Sequence, residues 1–136
     1  MIELMIVLAI VGIAVALAVP NFLNFLAQMD LNRAARDLAS DLRTAQSLSV
    51  QRNTPYDLNF KTSTSYGVRN LSTNAEIAGR GDLAVQTPGV TVTVPAANPV
   101  FRPNALVLNA GAYVLTGANG QTRTVTLSAV GRVTVQ

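Results

Sequence analysis

Glu3 stands directly ahead of a run, Leu4 to Val19, that holds no charged or strongly polar residue and stops at Pro20. A carboxylate beside a hydrocarbon-length segment is costly in a bilayer, by roughly 2.5 kcal/mol or more at the helix centre, so such a group is usually functional and usually paired. No basic residue occurs before Arg33. Glu3 therefore has no obvious partner within its own helix, and the partner is expected to come from another molecule. The chemistry on offer is ion pairing rather than catalysis. The chain has no His and no Cys, which removes the common bases, the thiol nucleophile, any disulfide and any thiolate metal site. Asp57, Glu76 and Asp82 form no recognisable acid pair, and no phosphate loop or metal-ligand spacing occurs. Neither an enzyme nor a cofactor is expected. The cations are scattered: Arg102, Arg123 and Arg132 in the C-terminal part, Lys61, Arg69 and Arg80 elsewhere, with a net charge of only +3. That pattern alone is a weak footprint for nucleic acid. Asn70-Leu71-Ser72 fits a glycosylation sequon, a match common by chance.

The elements that must position these residues follow from periodicity. The apolar head could be a secretory signal, a membrane anchor or a packing helix. A signal peptide opens with a basic stretch, whereas this segment opens with an acid. Sixteen helical residues rise about 24 Å, somewhat less than the roughly 30 Å hydrocarbon core, and Phe22, Leu23, Phe25 and Leu26 extend the apolar surface. Beyond it, Leu31, Ala34, Ala35, Leu38, Leu42, Ala45, Leu48 and Ser49 recur at three and four residues and mark one stripe of a helix. Arg33, Arg36, Asp37, Asp41, Arg43 and Gln46 are assigned to its other faces, with weak surface pairs among the charges. The pattern predicts one helix from near residue 2 to about residue 52, a rod of roughly 75 Å. Pro20 is expected to kink it or cost local backbone bonds, and Gly12 is a second soft point. Arg52-Asn53-Thr54-Pro55 ends it, because Pro55 disfavours a helical Thr54.

Everything after Pro55 has strand character. Tyr56 to Phe60 alternates with period two and can form a hairpin with Tyr66 to Arg69. Asn70 to Asp82 reads as a loop. Val90 to Val94 is the cleanest strand, and Ala96 to Asn104, with two prolines, reads as a connector. Leu106 to Leu108, Tyr113 to Leu115, Thr124 to Leu127 and Val133 to Val135 follow, with a strong turn at Gly117 to Gly120. Six to eight short strands imply an antiparallel sheet or small sandwich. The fold class is α+β: a long N-terminal α-helix packed on that β-rich head. Residues 1–28 are assigned to an apolar half-helix, membrane anchor or filament core. Residues 29–136 are assigned to the head, comprising an amphipathic half-helix 29–53 and the β-rich region 54–136.

Ile2-Glu3-Leu4-Met5-Ile6-Val7-Leu8-Ala9-Ile10-Val11-Gly12-Ile13, running on to Val19-Pro20-Asn21-Phe22, resembles the N-terminal segment of type IV pilins and type II secretion pseudopilins. Leu38 to Ser47 with Gln51 to Pro55, and the closing Phe101-Arg102-Pro103-Asn104, Thr124 to Leu127 and Gly131-Arg132-Val133, resemble the H-type minor pseudopilins and FimT-like minor pilins. The likeness implies a leader removed by a prepilin peptidase, an N-methylated terminus, inner-membrane insertion before assembly, and polymerisation with the help of pilus or secretion machinery. It implies a homo-oligomeric helical filament at the cell surface, or a periplasmic pseudopilus, in which Glu3 faces the N-terminal ammonium of an adjacent subunit. Gly12 and Pro20 would then serve close packing, a kink, or a stretch that loses helical bonds in the fibre. Three functions stay open: a main structural subunit setting register through Glu3, a minor pseudopilin that primes a secretion or DNA-uptake pseudopilus, and a weak DNA-binding minor pilin using Arg102, Arg123 and Arg132. For the last, Gly131-Arg132 matches the basic Gly-Arg motif of some FimT-like proteins, but Val133-Thr134-Val135-Gln136 adds no charge.

Overall fold

The structure, a computed structural model, describes residues 2–77 and 81–136, without the side chains at positions 17, 18 and 20. Arg80 lies outside the described residues. Helix α1 runs unbroken over Ile2–Arg52. From Ile2 to Leu26 every described side chain is exposed, and burial begins at Leu31. Leu31, Ala34, Ala35, Leu38, Ala39, Leu42, Ala45 and Ser49 then face inward, the stripe that three- and four-residue spacing dictates. The helix closes on Asn53, which takes a left-handed φ of 50°. Thr54 N–H donates to Ser49 O at 3.3 Å. Asn tolerates that conformation better than most residues, and the bond satisfies a carbonyl left over at the helix end.

The remainder forms two four-stranded sheets. Strands β1 (Tyr56–Thr62) and β2 (Ser65–Asn70) are the expected hairpin. After them come a short helix α2 (Leu83–Gln86), β3 (Thr91–Val92), β4 (Val100–Phe101), β5 (Val107–Leu108), β6 (Ala112–Thr116), β7 (Thr122–Leu127) and β8 (Val133–Val135). The first sheet has the order β2-β1-β4-β5 and the second β3-β6-β7-β8, and every neighbouring pair is antiparallel. Both sheets pack on the second half of α1. Their facing residues meet where the Phe60 and Tyr113 rings stack, 5.4 Å between centroids, within the favourable range for aromatic pairs.

Four expectations are corrected by these elements. Ala96 to Asn104 is not merely a connector, because Val100 and Phe101 pair with Asp57 and Tyr56. Ser49 Oγ, buried on α1, donates to Phe101 O at 2.9 Å and ties this strand to the helix. The strand expected over Val90 to Val94 is reduced to Thr91–Val92, since Pro95 follows and only β6 lies alongside. The short α2 interrupts a region read as extended. Asp41 does not sit on the outer surface of α1: it is buried, and the Tyr66 hydroxyl donates to it at 3.4 Å.

Candidate assembly surface and head cations

Glu3 lies in the first turn of α1. A carboxylate there meets the positive end of the helix dipole, a modest stabilisation. Around it Ile2, Leu4, Met5, Ile6, Val7 and Leu8 are all more than half exposed. The surface continues through Phe22, Leu23 and Phe25, and the helix is long and apolar enough to cross a membrane. At Gly12 the space a Cβ would enter is open. Pro20 falls within the helix. Glu3, Gly12 and Pro20 thus lie along one rod. A helix apolar all round needs burial in lipid or against other helices.

The three arginines of the C-terminal part are exposed and do not converge. Arg102 opens the β4–β5 turn, its N–H donating to Leu106 O. Arg132 sits on the β7–β8 turn, its N–H donating to Ser128 Oγ at 3.0 Å. These two turns are neighbours, joined by a 2.9 Å bond from Val107 N–H to Ala129 O. Arg123 lies at the other end of β7, where its Nε donates to Asn32 Oδ1 at 2.9 Å. Gly131, ahead of Arg132, has a left-handed φ of 78°, and a Cβ there would run into the Gln46 side chain of α1. Its place in the Gly-Arg pair is therefore explained by a turn pressed onto the helix.

Two ionic clusters went unread in the sequence. Asp57 is buried on β1 and pairs bidentately with the opposite residue Arg69 on β2, at 3.1 and 2.6 Å. The Asp57 hydrogen bond pushes the Arg69 guanidinium above its ordinary value, so it stays charged. Glu76 accepts from Lys61 and from Asn59 Nδ2, and those bonds hold its carboxyl below the usual range. Period-two alternation placed Asp57 and Arg69 on strands but carried no register, and register decides the pairs. These clusters fasten the hairpin and its flanking loop. Tyr113 is buried between the sheets, its hydroxyl without a hydrogen-bond partner among the described residues, and burial pushes it up to about 12.

The model of one family, described as type II transport protein GspH, matches residues 34–131, from the buried stripe of α1 to the β7–β8 turn. The chain belongs to the GspH family. No curated protein sequence matches it. Among solved structures, the type IV minor pilin FimU of Pseudomonas aeruginosa is 18% identical and covers 82% of this chain and 92% of its own, with a TM-score of 0.61. A second crystal form of FimU gives 0.58 over 78% of this chain and 92% of its own, at 18% identity. The minor pseudopilin EpsH of the Vibrio cholerae type 2 secretion system is 10% identical, covers 79% and 96%, and has a TM-score of 0.60. This GspH-family chain is thus an H-type member of the type IV pilin and pseudopilin class, with the fold of that class. The family match begins at Ala34, so the assignment rests on the head and the buried half of α1. The exposed apolar half is a separate, physical argument.

Proposed function

We propose that this GspH-family protein is a subunit of a pilus or secretion pseudopilus, in a minor rather than a main role. It is held in the inner membrane by the apolar half of α1 and polymerises by burying that half among neighbouring subunits. The observation that carries this is the exposed, mainly apolar surface from Ile2 to Leu26 on a helix whose second half is already the core of a folded head. Burial stabilises assembly by about 25 cal/mol per Å² of apolar surface, offset in part by association costs. Glu3 supplies register. At about 4 Å and an effective dielectric of about 20, its attraction to a neighbour's N-terminal ammonium is roughly 4 kcal/mol before desolvation. Every axial offset that leaves Glu3 buried and unanswered is penalised. Gly12 and Pro20 mark the segment where backbone bonds can loosen as the fibre forms. A prepilin peptidase and the assembly machinery are the expected processing partners. Electron microscopy of cells overproducing the protein tests the role: a minor subunit yields few or no long fibres, and abundant homopolymeric fibres would make it a main subunit.

A second reading, weak DNA binding by the head, is favoured by one observation. Arg102 and Arg132 stand on two adjacent turns, and no Asp or Glu occurs after Asp82. Few phosphates would be neutralised, so affinity should be low and fall with salt. A mobility shift at low salt that weakens in Arg132→Ala is the expected result; no shift at low salt removes the reading.

A further inference from the structure

Toward the C-terminal end of the apolar half of α1, side-chain amides gather from two elements. Asn21, Asn24 and Gln28 of α1 and Asn119 and Gln121 of the β6–β7 turn line one open cleft. The turn is fixed in place. Gly117 N–H donates to Gln121 O at 2.8 Å and Gly120 N–H to Gly117 O at 2.9 Å. Gln121 N–H donates to Asn119 Oδ1 at 3.2 Å. A Cβ on Gly117 would lie 3.5 Å from Leu31, so the turn presses on the helix there. Arg123, two residues beyond Gln121, donates through Nε to Asn32, one helical turn beyond Gln28. A guanidinium carries five N–H donors, and the others of Arg123 have no hydrogen-bond partner among the described residues. No carboxylate lines the cleft.

We propose that this cleft receives the phosphodiester headgroup of a bilayer phospholipid. The inference rests on the membrane-inserted subunit described above. Its depth is right: twenty helical residues rise about 30 Å, the thickness of the hydrocarbon core. With Glu3 at one edge of that layer, the other edge falls near Leu23. Asn24 and Gln28 then stand at headgroup level, with Phe22 and Phe25 where interfacial aromatics gather. Its chemistry is right as well. Phosphate oxygens only accept, and amide N–H groups and a guanidinium donate to them. Amide carbonyls remain to accept from a headgroup ammonium. Docked in this way, the head has a fixed tilt on the membrane before extraction into the fibre.

The full chain, with arginine isotopically labelled at Cζ, can be reconstituted into vesicles of phosphatidylethanolamine and phosphatidylglycerol and recovered by flotation. Carbon–phosphorus dipolar dephasing in solid-state NMR then reads proximity to lipid phosphorus. Dephasing of an arginine Cζ signal is expected in the wild type, with loss in Arg123→Gln and a marked reduction in the Asn24→Leu/Gln121→Leu double variant. Floated wild type without dephasing, or dephasing unchanged in Arg123→Gln, overturns the proposal. Failure of the wild type to float overturns the membrane reading beneath it instead. In phosphate-free detergent micelles, inorganic phosphate alone should leave the Arg123 signal in place. A shift as large as that given by added phospholipid would assign the cleft to free phosphate and overturn the lipid assignment.

Discussion

Glu76 shows how much of this head is held by single charged contacts at its surface. Its carboxyl is held below its ordinary value of 4.5, first by Lys61 and then by Asn59. A depressed folded value means the unfolded chain takes up the proton first as acid is added. The contribution of Glu76 is therefore complete above that ordinary value and is lost as pH falls through the folded one. Thermal unfolding of wild type and Glu76→Gln should differ at neutral pH and converge as pH falls below that ordinary value and through the lower folded one. A constant difference across that range would remove the assigned role. Asp41 marks the limit of reading by residue type. Its spacing from Leu38 and Ala45, three and four residues, puts it on the buried stripe, yet its charge argued for the surface. The period was the better guide, because backbone geometry fixes a side chain's direction and Tyr66 supplies a partner.

At the scale of elements, the long helix and the β1–β2 hairpin were legible because periodicity and turn residues agree over many positions. The β4 strand was not. Two residues between Pro99 and Pro103 carry no period, and they are a strand because β1 and β5 pair with them on either side and Ser49 grips Phe101 O. The four-residue α2 was invisible for a similar reason: Asp82 makes no side-chain cap that a sequence could announce. The β7–β8 turn gives a sharper test of how the second sheet sits on α1. At Gly131 both a left-handed φ and the Gln46 side chain oppose a Cβ. Gly131→Ala should destabilise the chain by roughly 1–2 kcal/mol from backbone conformation alone, plus the clash. Gln46→Ala in the same background should recover only the clash. Denaturation showing Gly131→Ala as stable as wild type would contradict this account of the turn.

Over the whole molecule, one helix serves two environments. Its second half is paid for within the chain by two sheets, and its first half stays bare from Ile2 to Leu26. The apolar run and the position of Glu3 were legible from the start, as they need no tertiary contact. On the proposed assembly, what answers Glu3 lies in a neighbour, which a single chain does not show. The same holds for Gly12, whose surroundings are empty in the single chain. Glu3→Ala should leave membrane insertion by flotation unchanged, since removing a charge only eases burial. Recovery of the variant in sheared fibres or pseudopili is the measurement that tests the central claim most directly. The account predicts that this recovery collapses while insertion is normal; wild-type recovery of Glu3→Ala in the fibre fraction would contradict it.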